Sequence, residues 1–537
     1  MSIGLNYKNK TPRNPSKLPR FTYKDSLLGY NNANRNCFDV KYYDIHLTIN
    51  TNKKNIAGFV TTRFELLKES KKIQLDLAAQ FVIDSITQNS KRLIYKRSYT
   101  AIEIELISKN KKQEVAVYYH GKPIVAKRPP WEGGFVWKKD KNKKPFVSVA
   151  CEGLGAQTWL PVKTYLGDEP DSISIHLTVP EELTAVSNGN LISISENKNQ
   201  KTFHWQTSYS INPYNITFYV GDYKKMEEPY ECENGETMNL NYYVLPENFE
   251  KAKTHFLQTA KILKVYEDLF GTYPWVKNGF KLVESPFAGM EHQTAIAYGN
   301  GYRNERGFGF DYIILHESAH EWWGNAVSVN DFSDLWIHEG MATYAEALYV
   351  ERTQGYQSYL NYMNWTAIGI KNKKSVVGPR DVYYSDYKDG DPYNKGAIML
   401  HSLRNHVNND TLFFAILKTF FKNKCYKNTT TSEFIELVNE MTGKDLSCFF
   451  DQYLYQRNSP YLKWNFNYDQ EKTRLIFKFD RVNDCFTMSV EVQQGDKIFR
   501  INPTNRVQYL TLPEPATTPV RVNLKNTYLQ DGYKKIK

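Results

Sequence analysis

Long apolar runs are missing from this chain. No stretch approaches the roughly 18 uninterrupted apolar residues that cross a bilayer, so no transmembrane segment is expected. The first twenty residues, MSIGLNYKNKTPRNPSKLPR, lack the apolar core of a signal peptide. Their Asn, Pro, Ser and Lys content reads as a disordered lead-in over 1–20. As given, the chain is expected to be soluble and cytoplasmic. A lead-in of this kind also remains after an export signal has been removed, which would make the protein exported or periplasmic. Cysteine is scarce as well. Six stand far apart, at Cys37, Cys151, Cys232, Cys425, Cys448 and Cys485, with no CxxC pair. That spacing fits neither a zinc–thiolate site nor a small disulfide scaffold, and it predicts free, mostly buried thiols in a reducing compartment. There is no internal repeat and no low-complexity tract. The net charge of +11 is spread thinly over 537 residues, and Lys-rich runs such as KKDKNKK (138–144) contain or adjoin acidic residues. They read as solvated loops, so no nucleic-acid partner is expected.

What is present suits a multidomain globular protein. A chain this long exceeds one ordinary core, and 41% hydrophobic with 15% aromatic content is ample for packing. YDIHLTI (43–49) and IAGFVTTRFEL (56–66) alternate apolar and polar around the turn-like NTNKKN, a hairpin with one buried face. Short strands of this kind continue to about Tyr223, predicting an all-β domain over 21–223. The pattern then changes. From Asn248 to Phe270 the apolar residues Phe249, Ala252, Phe256, Ala260, Leu263 and Tyr266 recur at three and four, and Gly271 and Pro274 stop the run. Helical periodicity then dominates to about Tyr455, broken by loops at 297–309 and 372–394. This predicts a mostly helical domain over 224–458. Alternation returns in the last stretch, where Leu462, Trp464, Phe466 and Tyr468 form one face and Leu475, Phe477 and Phe479 the next. A small C-terminal β-sandwich is expected over 459–537. The fold class is thus multidomain α+β, with an N-terminal all-β domain, a helical middle domain and a C-terminal β-sandwich.

HESAHEWWGN, residues 316–325, lies in the middle domain. On a helix, His316 and His320 sit one turn apart on one face and can reach one ion, while Glu317 projects beside them as a base for water. Tyr312, Ile313, Ile314 and Leu315 before the motif, and Trp322 and Trp323 after it, mark a buried helix. Charged groups there need compensation, which a metal supplies. Catalytic zinc takes three protein ligands and leaves a place for water. DLWIHEGMATYAEALYVE offers Glu339, separated from His320 by eighteen residues, as the third ligand. Glu346, seven further on the same face, is positioned to orient a ligand histidine. His338 competes for the third place, but adjacent helical residues point about 100° apart and Glu339 has the spacing.

HExxH followed after eighteen residues by Glu, inside WIHEGMATYAE, resembles the aminopeptidase N family of zinc metallopeptidases, whose second motif usually reads WLNEGFAxYxE. AGMEH (288–292) resembles that family's GAMEN motif. Tyr393 in DPYNKGAIML matches its catalytic tyrosine, and ACEGLGAQTWLPVKTYLGDEPD (150–171) resembles its Q-x-E segment and the stretch after it. The likeness runs from about Phe38 to the C-terminus. It implies a thermolysin-like middle domain holding one Zn2+ on His316, His320 and Glu339, with Glu317 and Tyr393 catalytic. It also implies peptide substrates with a free N-terminus, recognised by Glu152, Ala288, Gly289, Met290 and Glu291; oligomeric state is left open. A protonated α-amine calls for carboxylates at a fixed distance from the metal, and Glu291 and Glu152 match. The near absence of side chain at Ala288 and Gly289 lets an extended substrate backbone approach. A phenol such as Tyr393 can hydrogen-bond an oxyanion, although among 39 tyrosines only its context singles it out.

The departures concern specificity. Ala150 stands where the family often has Gln, His292 replaces the Asn of GAMEN, Ala288–Gly289 invert its Gly–Ala, and His338 replaces the Asn of WLNEG. Many relatives carry a further helical C-terminal domain, and a chain ending after the small β-unit is expected to have a more open cleft unless another subunit covers it. The expected activity is zinc-dependent removal of N-terminal residues from peptides. The alternatives are a thermolysin-type endopeptidase, an epoxide hydrolase like leukotriene hydrolase, and a catalytically inactive peptide-binding module. The amine anchors weigh against the first, and the retention of Glu317 and Tyr393 against the last.

Overall fold

A computed structural model describes residues 21–304, 307–383, 389–469, 472–533 and 536. The lead-in expected over 1–20 lies outside the described residues. Alternation in the first hairpin sorts its side chains between two faces. In β1 (Phe38–Asn50), Tyr43, Ile45, Leu47 and Ile49 are buried, whereas Asp44, His46 and Thr48 lie on the partly exposed side. β2 (Asn55–Leu66) returns antiparallel from the Asn50↔Asn55 pair, as the period-two pattern predicts. β3 (Lys112–Gly121) pairs antiparallel with β2, β4 (Ser172–Pro180) parallel with β1, and β5 (Gln200–Gln206) antiparallel with β4. With Asn190–Asn197 beyond β5 and Val82–Gln88 and Lys91–Arg92 beyond β3, they make an eight-stranded sheet. A four-stranded sheet comes next, in which Pro145–Ala150 pairs with Gly134–Lys139 and Phe218–Gly221. This strand delivers Glu152 two residues past its end.

The middle region opens with a five-stranded sheet that helical periodicity did not announce. Its order is Lys224–Glu231, Thr237–Val244, Phe280–Glu284, Ile296–Tyr298, Gly289–Met290. Its last three strands are short and buried throughout, so they leave little alternation to read. The helix expected from Asn248 to Phe270 is two helices, Phe249–His255 and Gln258–Phe270, interrupted at Phe256–Leu257. Gly271, at φ 114°, ends the second, as the sequence predicts.

Three helices of the middle region carry candidate site residues: α1 (Tyr312–Ala319), α2 (Trp336–Gln354) and α3 (Asp391–Val407). α2 and α3 cross glycine against glycine. A Cβ on Gly340 would lie 2.9 Å from the Gly396 Cα, and a Cβ on Gly396 equally close to the Gly340 Cα. No larger residue at either place permits that crossing without parting the helices.

The C-terminal strands form a four-stranded and a three-stranded sheet. Leu462, Trp464, Leu475, Phe477 and Phe479 are buried as expected, but Tyr468 is 69% exposed, because it lies at the hairpin end of its strand. One cysteine expectation is overturned. Cys448, in the short helix Ser447–Phe450 of the middle region, is bonded to Cys485 of the C-terminal unit, with Cα atoms 5.8 Å apart. The pair is 37 residues apart in sequence and is brought together only by docking of the strands on the helices, which spacing does not register. Cys37, Cys151 and Cys232 are free and buried, and Cys425 is free and half-buried.

Candidate metal centre and active site

α1 is fixed at its start by Asp311, whose carboxylate accepts hydrogen bonds from Ile313 N (2.9 Å), the Tyr298 hydroxyl (2.7 Å) and Asn300 Nδ2 (2.9 Å). One turn on it carries His316, and His320 caps its C-terminal end. The first turn of α2 supplies Glu339. The Nε2 atoms of the two histidines are 3.1 Å apart, and Glu339 Oε2 lies 3.5 Å from His316 Nε2 and 3.4 Å from His320 Nε2. Ligand atoms bound tetrahedrally at about 2.0–2.1 Å stand about 3.3 Å from one another, so the three match a zinc-sized site with one position open.

The tautomers support the same conclusion. His316 Nδ1 is 2.6 Å from Glu346 Oε1 and His320 Nδ1 is 2.8 Å from the Trp323 carbonyl. Both partners only accept, so each Nδ1 carries a proton and each Nε2 turns a lone pair inward. Glu339 Oε2 adds another and has no hydrogen-bond donor of its own. Lone pairs converging in a buried space repel one another until a cation takes the middle. Without a cation, burial opposes a proton on His316 but Tyr312, Glu339 and Glu346 together favour it, raising its pKa well above the usual imidazole value. Proton and metal therefore compete for that nitrogen. Glu346 is itself held by the Tyr362 hydroxyl.

Glu317 lies beside the ligands and is 7% exposed; burial pushes its carboxyl up to about 8, against the pull of His316. Its place is set by a glycine. A Cβ on Gly289 would sit 2.4 Å from Glu317 Oε1 and 2.7 Å from Ile313 Cγ2. Gly289 and Met290 form an edge strand paired with Tyr298 and Ala297, and Ala288 before them is exposed. Glu291 follows at once. It is buried, and burial raises its carboxyl above the usual range, with His320 opposing. Its Oε1 accepts from the Tyr214 hydroxyl (3.2 Å) and its carbonyl from Asn325 Nδ2 (2.8 Å). Glu152 arrives from the four-stranded sheet, and its carbonyl accepts from the Tyr383 hydroxyl at 2.9 Å. Carboxylate oxygens of Glu152, Glu291 and Glu339 lie within 4.8 Å of one another, as do ligand atoms of Glu291, Glu317 and His320.

Tyr393, in the first turn of α3, places its half-buried ring 6.2 Å from that of His316 at an angle of 18°. Its helix end is pinned on both sides. Asp391 accepts from the backbone N–H groups of Lys371 (2.7 Å) and Asn372 (2.8 Å), and Lys395 Nζ donates to the carbonyls of Gln456 (2.9 Å) and Arg457 (3.2 Å). His338, the competing third ligand, does not join the converging atoms. It is buried, neither ring nitrogen has a hydrogen-bond partner, burial holds its pKa down at about 3, and its ring lies 6.4 Å from that of Tyr214. Tyr214, Asn325 and Tyr362 escaped the reading of the sequence. Tyr214 sits on a single turn capped by Asn212, and nothing in NPYN marks it off from other tyrosines.

A His-Glu-x-x-His helix joined to a carboxylate on the next helix, behind a β-rich N-terminal region, is the architecture of a zinc metallopeptidase. The Peptidase M1 N-terminal domain matches residues 40–214 and the Peptidase family M1 domain matches residues 254–453, and the chain belongs to peptidase family M1. It is 25% identical over 288 residues to endoplasmic reticulum aminopeptidase 1 of Mus musculus, covering 50% of this chain and 30% of that protein. With aminopeptidase N of Streptomyces lividans it shares 26% over 312 residues, covering 53% and 36%. The chain thus spans about a third of the length of these curated relatives. Its fold is shared with an M1 zinc metallopeptidase of Deinococcus radiodurans, crystallised as a mutant with a Tyr-Ser-Ala substrate. That likeness has a TM-score of 0.67 and 22% identity, and covers 80% of this chain and 96% of the other.

Proposed function

We propose that this protein is a zinc-dependent aminopeptidase that removes residues singly from peptide N-termini. One observation carries the reading: the carboxylates of Glu152 and Glu291 stand within 4.8 Å of a metal-ligand oxygen. The amine nitrogen and carbonyl carbon of one amino acid are two bonds, about 2.5 Å, apart. An ammonium bound by Glu291 and Glu152 therefore leaves room for one residue before the scissile carbonyl reaches the metal. An internal peptide segment brings no cation and so gains nothing from these carboxylates.

A divalent ion on His316, His320 and Glu339 would supply positive charge to polarise the carbonyl and acidify a water. The chain's residues do the rest. Glu317, with its carboxyl held high by burial, takes the proton of the attacking water and returns it to the leaving amine. Tyr393 donates its phenolic hydrogen to the oxygen that gains charge. Glu291 and Glu152 fix the ammonium, with Tyr214 holding Glu291 in place. Gly289 gives the substrate backbone space without displacing Glu317. Comparing an aminoacyl-arylamide with its N-acetylated form, with and without a chelator, tests the reading. Chelator-sensitive hydrolysis of the free-amine form alone is expected, and equal cleavage of both would refute it.

The Cys448–Cys485 bond bears on the compartment. Such bonds persist in oxidising surroundings, so we place the protein outside the reducing cytosol.

A further inference from the structure

The partly exposed face of the eight-stranded sheet holds a second set of metal-ligating side chains, unrelated to the centre above. His46 on β1, His176 on β4 and His204 on β5 stand in one row of the strand register. Their rings stack at 4.0 Å and 7° for His46 with His176, and 4.1 Å and 16° for His176 with His204. Phe59 on β2 extends the stack at 4.5 Å from His46 and shuts that side with an apolar ring. Asp44, two residues before His46 and so on the same face, sets its Oδ1 3.0 Å from His46 Nε2 and 3.5 Å from His176 Nε2. This oxygen is shielded from water, yet neither imidazole meets it with hydrogen-bond geometry. A shielded carboxylate oxygen beside two imidazole nitrogens is a donor set of the kind that divalent first-row ions take.

We propose that Asp44, His46 and His176 form a second metal site, of the imidazole–carboxylate type that takes Zn2+ and neighbouring first-row divalent ions. Their three ligand atoms already lie within 4.8 Å of one another. Stacked rings aim their lone pairs within separate planes, so seating one ion requires the rings of His46 and His176 to turn by a large angle, toward the near-perpendicular arrangement of His316 and His320. The ring edges have room to turn, since the side chains of His46, His176 and Asp44 are 35%, 24% and 25% exposed. The same exposure leaves the remaining coordination positions to water, so this ion exchanges readily. His204 Nε2 is turned to Ser174 Oγ at 3.4 Å, which leaves His204 outside the first three ligands. The ion would tie β1 to β4, the parallel pair at the middle of the sheet, whose residues are some 130 apart in sequence. Its effect is therefore expected on the stability of the N-terminal sheet, with the peptidase chemistry untouched.

The test uses the full chain, dialysed against Zn2+ buffered at about 10 µM free ion, a level at which a three-ligand site of this donor set fills. Metal is then counted by mass spectrometry. The parent should hold two equivalents. The double variant His46→Asn/His176→Asn should hold one with unchanged turnover, and His320→Ala should keep one at the sheet. Added Zn2+ should raise the Tm of the His320→Ala protein and leave that of His320→Ala with His46→Asn/His176→Asn unmoved. One equivalent in the parent, or two in the His46→Asn/His176→Asn variant, would overturn the assignment. So would a His320→Ala protein that holds no zinc, and that measurement does not depend on the sheet variants folding.

Discussion

Replacing Gly289 with Ala tests whether the backbone before Glu291 sets the position of Glu317. The new Cβ would lie 2.4 Å from Glu317 Oε1 and 2.7 Å from Ile313 Cγ2, where ordinary contact begins at 3.4 Å. Glu317 Oε1 is a flexible side-chain end, whereas the Ile313 methyl sits on a stiff branched Cβ, so relief falls mainly on the carboxylate, at an overpacking cost of about 1–3 kcal/mol. The carboxylate must yield by about 1 Å. A shift of that size at a group that has to meet a proton costs about 10²-fold in rate, or about 2.7 kcal/mol. Steady-state kinetics on a free-amine arylamide should therefore show kcat lowered by about 10²-fold at full zinc content, with a modest fall in Tm. In a Glu317→Gln background the same substitution should add almost nothing, because no base is left to displace. A Gly289→Ala enzyme with kcat within about threefold of the parent would refute the argument. So would equal penalties in the two backgrounds.

Glu317→Gln itself should cut turnover to a small residual rate while metal analysis finds zinc retained, and loss of zinc would make Glu317 a structural residue. Tyr393→Phe should lower kcat by about 10²–10³-fold, the usual worth of one oxyanion donor; a near-normal kcat would remove Tyr393 from the mechanism. Glu346→Gln keeps an acceptor for His316 Nδ1 but loses its charge, and chelator competition should show zinc bound about 10–100-fold more weakly. Glu291→Ala should lower kcat/KM on free-amine substrates by about 10²–10³-fold, since an ammonium–carboxylate pair in a sheltered cleft is worth roughly 2–4 kcal/mol. Zinc content should stay the same, and unchanged hydrolysis of free-amine peptides would defeat the aminopeptidase reading.

The parts of this site that could be read from the sequence are those fixed by helical periodicity. Steps of four and seven residues pair His316 with His320 and Glu339 with Glu346 because one helix carries each pair, whereas the nineteen-residue step from His320 to Glu339 crosses a loop and was legible only as a family motif. The first hairpin was legible for the same reason, as a period-two pattern with one buried face. What escaped depends on packing between distant segments. Tyr214 comes from an isolated turn, and Asn325 from the loop after α1. Tyr362 is a helix residue that is distinguished only by meeting Glu346. Cys448 and Cys485 meet only once the C-terminal strands have docked, so their spacing argued the wrong way.

The same contrast separates two functions within the site. Every metal-ligating atom comes from α1 and α2, which pack directly on one another, so the centre depends on little beyond that contact. The amine-binding side is assembled from Glu152 after one sheet, Tyr214 on a lone turn and Glu291 beside the edge strand of another sheet. Positioning among these parts relies on close backbone approach, and glycine permits it. At Gly289 the edge strand nears Glu317, and at Gly340 and Gly396 two helices touch, which carries Tyr393 to the side of His316. Metal binding should therefore survive perturbations of the N-terminal sheets that abolish recognition of the free amine. The converse does not hold, because an ammonium fixed by Glu291 gains nothing catalytically unless the helix pair holds the metal opposite its carbonyl.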